Sequence, residues 1–218
     1  MKLRECENFW VLGLFLGLTG LLSALVLAVV SGATAPKIEQ AKMRSKNAAL
    51  RQLMPAFDNN PFAEQCNFDG VTFMAVRKNG VLVGIAAEAE TPHGYAGTIR
   101  ELVGFGPDGK ILAVLVTAEK ETPGLGKNVC ERKFKKTVFN FWKPLPPGLP
   151  PNEILDQFSG RRAGEKTDWR VTKDGGDFKF RTGATVTSRA VTELAGKAAK
   201  TFAARRREIF KCFKEEAK

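Results

Sequence analysis

At 218 residues the chain has room for one globular domain and a small addition, which excludes a multidomain enzyme. With 44% hydrophobic residues, 26% charged and 16 Phe it can bury a core, so neither a disordered polyelectrolyte nor a collagen-like repeat fits. The 34 Lys and Arg against 23 Asp and Glu leave a net charge of +11, which points to nucleic acid, anionic lipid or an acidic small molecule without choosing among them.

Residues 9–30, FWVLGLFLGLTGLLSALVLAVV, carry no charge. As a helix they would be about 33 Å long, the thickness of a bilayer's hydrocarbon core. A cleaved signal peptide is the competing reading, since Ala33-Thr34-Ala35 resembles a cleavage site. Signal apolar regions run only about 7–15 residues, however, so an uncleaved anchor over 9–35 is preferred. Positive charges after the segment outnumber those before it, and taken alone they would keep the rest of the chain inside the cell. Pro36 suits a first helical turn and Pro55 a stop, predicting a separate juxtamembrane helix over 36–55. Residues 1–8 are then a short tail and 56–218 the folded domain.

Within that domain, 71–76 and 81–85 are β-branched runs around Lys78-Asn79-Gly80, a strong hairpin signal. A second pair, 98–105 and 110–117, flanks Gly106-Pro107-Asp108-Gly109. Consecutive hairpins predict an antiparallel sheet. Residues 128–142 read as a short basic, aromatic helix, and Lys143 to Pro151 as a proline-rich surface connection. A last strand is expected over 168–173, turning at Asp174-Gly175-Gly176 into 177–181. A final helix follows, with Val191, Leu194, Ala198, Phe202, Ile209 and Phe213 at helical spacing and one face packed on the sheet. The fold class is therefore α+β.

Four cysteines, Cys6, Cys66, Cys130 and Cys212, form no CxxC pair, and His93 is the single histidine. A His/Cys metal centre and Ser–His or Cys–His catalysis are disfavoured on that inventory. Outside the cytoplasm Cys66 could pair with Cys130.

The segment that carries chemistry is Arg181-Thr182-Gly183-Ala184-Thr185-Val186-Thr187-Ser188, placed where a strand candidate meets the final helix. Small residues allow close backbone approach, hydroxyls can bond to phosphate, and a helix start offers free N–H groups. A bare N-cap has the same composition. Ser31-Gly32-Ala33-Thr34-Ala35-Pro36 begins alike but has proline at the acceptor position and lies at the membrane edge, so it is set aside. In Glu121-Thr122-Pro123-Gly124-Leu125-Gly126, a Pro-Gly turn followed by another glycine would let backbone meet a flat ring, with Leu125 an apolar contact and Thr122 a polar one. An ordinary strand-to-helix turn also reads this way.

The first of these strings resembles the S-G-A-T-x-T signature of covalent flavoproteins. There the last threonine, which is Thr187 in this chain, carries FMN through a phosphoester made by a separate flavin transferase. Thr182 departs from the usual Ser or Asp while keeping a hydroxyl. The second string resembles the E-T-P-G-L-G loop of the same FMN-binding domains, and Gly94-Tyr95-Ala96-Gly97 resembles their G-Y-x-G strand entry. His93 beside it reads as a surface residue. With its membrane segment, the chain is similar to the FMN-bearing G subunits of Rnf-type electron-transport complexes. The C subunits of sodium-translocating NADH:quinone reductases are close relatives.

The resemblance implies an N-terminal transmembrane helix followed by an antiparallel-sheet FMN-binding domain with packed helices, and one covalent FMN relaying electrons without an acid–base catalyst. It assigns Thr182, Gly183, Ala184, Thr185, Thr187, Ser188, Glu121, Thr122, Gly124, Leu125, Gly126 and Tyr95 to the cofactor. The implied partners are other membrane subunits of an Rnf-type complex, the flavin transferase and membrane lipid, with no nucleic acid. It also implies a single-pass inner-membrane protein whose flavin domain is periplasmic, against the count of charges. The alternative is a non-enzymatic, membrane-anchored interaction module using Lys133, Lys135, Lys136, Arg161, Arg162 and Arg205 to Arg207 as a basic surface.

Overall fold

The computed structural model describes residues 9–134, 142, 144 and 148–214, which divide into two units, Met1–Asn47 and Ala48–Lys218. In the first unit lies most of a helix, α1 (Phe9–Leu53), long and apolar enough to cross a membrane. The two helices expected on either side of Pro36 are thus one. Proline's fixed φ is already helical, and it removes only one donor from a segment whose neighbours all favour helix. The set-aside Ser31–Pro36 string lies within α1.

The second unit is built on a five-stranded antiparallel meander in chain order: β1 (Gln65–Phe68), β2 (Val71–Lys78), β3 (Val81–Gly94), β4 (Gly97–Phe105) and β5 (Ile111–Ala118). Both expected hairpins form. Asn79 and Gly80 take φ of 51° and 78°, the paired left-handed residues of a two-residue turn matched to strand twist. Asp69 and Gly70, at 52° and 74°, make an equivalent turn and create β1, which sequence reasoning missed.

One face of the sheet buries Phe73, Ile85, Val103 and Phe105 against α4 (Thr185–Cys212). Every apolar position anticipated on the final helix is buried, and Phe202 stacks on Phe105 with centroids 4.6 Å apart. The other face carries Met74, Val76, Ala86 and Leu102, covered by Leu50, Leu53 and Met54. The backbone of α4 departs from helical geometry at Arg205.

Two expectations change. Residues 168–181 form no strand: a 3-10 turn at Thr172–Asp174 and a single bridge between Val171 and Phe178 replace it. The Gly175 reversal, at φ 81°, folds the segment onto itself, and Phe178 N donates to Arg170 O rather than to a sheet neighbour. Cys66 pairs with Cys212, not with Cys130. The end of α4 comes to β1, while Cys130 is in the core as a free thiol.

Of the helix expected over 128–142, only α2 (Lys127–Cys130) forms among the described residues, with 131–134 non-helical. Most of the Lys143 to Pro151 connection lies outside the described residues. Buried Asn152 holds α2 in place: its Oδ1 caps α3 (Glu153–Asp156), while its Nδ2 donates to the carbonyls of Asn128, Val129 and Glu131.

Candidate functional site

Three loops meet above one end of α4. The first follows β5. Its Pro123-Gly124 turn closes when the amides of Leu125 and Lys127 donate to Thr122 O at 3.2 and 3.1 Å, and Gly124 takes φ 81°. Asn128 Nδ2 donates to Gly124 O at 2.7 Å, joining the turn to α2. The second is the reversal at Gly183, φ 83°, that leads into α4. Its N-cap, Ala184, supplies no side-chain hydrogen bond, so the first-turn amides of α4 stay open to a ligand and the helix dipole favours an anion. The third is the tight β3–β4 turn, where Gly94 pairs with Gly97 across Tyr95 and Ala96.

Glu121 joins all three. Its side chain turns inward and is only 4% exposed. Oε2 accepts from Thr187 Oγ1 at 2.7 Å, and Oε1 accepts from Ala96 N at 3.2 Å. Glycine is required around this carboxylate. A Cβ on Gly126 would sit 2.3 Å from Glu121 Oε2 and 2.6 Å from Thr187 Oγ1, and one on Gly94 would sit 2.9 Å from Glu121 Oε1.

These loops enclose a cavity of about 390 Å³, within the range of small-molecule sites. Thr187, 1% exposed, stands in its wall beside Gly183, Ala184 and Thr185. Glu121, Thr122, Leu125, Gly126 and Tyr95 line the rest. Tyr95, Leu125 and Val186 give it an exposed apolar rim, with Tyr95 71% exposed. Val186 was not anticipated.

Three anticipated residues lie elsewhere. Gly124 serves the turn, and Thr182 faces a neighbouring cavity with Arg181 and Asn152. Ser188 is buried, donating to Ala184 O and accepting from Arg181 N. Its hydroxyl is thus spent on the local backbone, while that of Thr187 stands in the cavity wall.

Two buried groups lie near the site's supports. Burial, and secondarily the charges of Glu119, Glu121 and Glu101, push the Cys130 thiol far up, which makes it an inert core residue rather than a nucleophile. Glu101 is fully buried with neither carboxyl oxygen hydrogen-bonded. Burial raises its pKa well above the usual 4.5, partly offset by Arg132. Because the folded state holds this proton more tightly than the unfolded chain, the stabilisation is complete below pH 4.5 and is lost as pH rises through the folded value. Glu101→Gln should therefore melt higher than the parent at about pH 8, with the difference shrinking toward zero in acid; thermal melts across pH check this.

His93 lies at the surface, its Nδ1 3.0 Å from Glu193. The cations proposed for an interaction surface are largely engaged: Lys133 with Glu131, Arg205 with Asp69 and Glu208, Arg161 over the Phe178 ring, and Arg206 with Pro107 O. Lys135 and Lys136 lie outside the described residues.

Residues 94–200, which span the β3–β4 turn, the Glu121 loop and the start of α4, match the family model of the FMN-binding domain. A protein of Pseudomonas aeruginosa is 32% identical over 90% of this chain and 89% of its own length, and one of Shewanella oneidensis is 32% identical over 91% of each. One from Photorhabdus laumondii is 34% identical over 82% of this chain and 83% of its own. All three are named as the G subunit of an ion-translocating oxidoreductase complex. With each of these matches covering 82% or more of this chain, it belongs to the family of ion-translocating oxidoreductase complex G subunits.

Proposed function

We propose that this protein is the electron-relaying subunit of a membrane-bound, ion-translocating oxidoreductase complex, holding one FMN covalently through a phosphoester to Thr187. The observation that carries the reading is the meeting of Thr187 Oγ1 with the Glu121 loop at the uncapped start of α4. A phosphate there would receive first-turn amides and the positive end of the helix, while Leu125, Val186 and Tyr95 offer an apolar wall to a flat ring. Gly126, with no room for a Cβ, keeps the hydroxyl and loop in contact.

When bound, FMN supplies electron transfer, one or two electrons at a time. The chain's own groups bind, orient and partly enclose it, so no acid–base catalyst is needed for the relay. Covalent attachment keeps the cofactor on an exported domain. The flavin domain is periplasmic, on a single-pass inner-membrane anchor. A Cys66–Cys212 disulfide supports this placement, since such bonds persist in oxidising compartments. Its partners are the complex's other membrane subunits, surrounding lipid, and the flavin transferase that matures it.

The test is intact-mass and peptide analysis of the full chain produced together with a flavin transferase. One FMN less one water should be added, on the peptide containing Thr187, with fluorescence that survives denaturation. An unmodified peptide would remove the covalent reading.

A further inference from the structure

The Thr187 hydroxyl has a base already in place. Its proton lies on a 2.7 Å hydrogen bond to Glu121 Oε2, and the other carboxylate oxygen is fixed by the Ala96 amide at 3.2 Å. A nucleophile bonded to a base that a third group orients is the arrangement by which proteins activate hydroxyls. Both side chains are buried yet line the cavity. Glycine at 94 and 126 leaves room for the pair, which a Cβ at either position would crowd.

We propose that Glu121 is the proton acceptor for Thr187 when its hydroxyl becomes a phosphoester, an inference that rests on Thr187 being the attachment residue. The donor class is a flavin dinucleotide, whose pyrophosphate supplies an activated flavin phosphate. Thr187 Oγ1 forms a bond to the flavin-bearing phosphorus, and its proton passes to Glu121 Oε2. The anhydride P–O bond breaks, and the nucleoside monophosphate leaves with the electron pair. The charge beside Thr187 is conserved: a neutral hydroxyl facing a carboxylate becomes a phosphodiester anion facing a neutral carboxyl. Without the proton, two anions would share one buried site, an arrangement proteins avoid. The open first-turn amides of α4 face the charge that develops on phosphate.

Other titratable groups nearby are Glu119, which accepts from the Glu121 amide, Glu101 and the Cys130 thiol in the core, and Tyr95 on the rim. Among the described residues none of their side chains donates to the Glu121 carboxylate, whose side-chain donor is Thr187.

The experiment follows mass gain over time for the full-length protein in detergent with purified flavin transferase, FAD and Mg²⁺. Glu121→Gln should slow labelling by about 10²- to 10⁴-fold. Glu121→Asp, which keeps a carboxylate with a shorter reach, should recover part of that rate. A Glu121→Gln rate within threefold of wild type overturns the proposal. So does a Glu121→Asp rate no faster than that of Glu121→Gln, which marks a purely structural role. Failure of the underlying reading looks different: wild-type protein gains no flavin, or Thr187→Ala gains as much as wild type.

Discussion

Replacing Thr187 by alanine is expected to give a folded protein with no covalent flavin. The substitution deletes the one hydroxyl that stands in the cavity wall against Glu121, and no neighbour can replace it. Ser188 is committed to Ala184 and Arg181, Thr185 lies two residues earlier on the helix, and Thr182 faces another cavity. The stability cost should be small, about 1–3 kcal/mol, because one buried carboxylate oxygen loses its partner while alanine is the better helix former. Thr187→Ser keeps the hydroxyl and should keep the flavin. Fluorescence of denatured protein on a gel, with intact mass, separates the cases. Covalent flavin on the alanine variant would show that attachment lies elsewhere.

The largest loss of stability is expected from Phe202→Ala. Phe202 is 1% exposed and at the centre of an aromatic cluster, stacked 4.6 Å from Phe105, with Phe73 at 6.2 Å and Phe210 at 6.5 Å. Removing it leaves a cavity between α4 and the sheet that rigid neighbours cannot fill, at a cost of about 3–5 kcal/mol. For a domain of this size that lowers the melting temperature by roughly 6–20 °C. Position 202 is fifteen residues along α4 from Thr187, about 22 Å at helical rise. Material that remains folded at low temperature should therefore still take flavin at Thr187. Thermal unfolding gives the first quantity and mass gain the second; a variant that melts like the parent would mean the cluster contributes little.

Features of the chain that depend on neighbours in sequence were readable from it. Asn79-Gly80 set a turn because both residues tolerate positive φ, and the stripe from Val191 to Phe213 marked a buried helix face. The two motif strings, some sixty residues apart, also meet. Asp69-Gly70 carried the same turn chemistry as Asn79-Gly80 and could have located β1. Other features depend on tertiary contacts that no local pattern encodes. The partner of Cys66 is set by where α4 ends, the carbonyl-binding role of Asn152 by how α2 meets α3, and the burial of Glu101 by its place on a strand facing the core. Residues 168–181 misled because their apolar and β-branched members serve a folded-back loop, in which Trp169 and Phe178 stack 5.0 Å apart. In the signature itself, composition could not tell which hydroxyls a helix turns toward the cavity. Thr187 does so, whereas Ser188 is spent on the local backbone.

The Cys66–Cys212 bond closes a covalent ring through 146 residues that contains all but the first strand's start, both motif strings and nearly all of α4. Cys212 is synthesised 146 residues after Cys66, so the ring can be sealed only once the whole stretch between them has been made. After that, a single proteolytic nick between the two sulfurs releases no fragment, and the peptide containing Thr187 stays covalently joined to α1 until a reductant arrives.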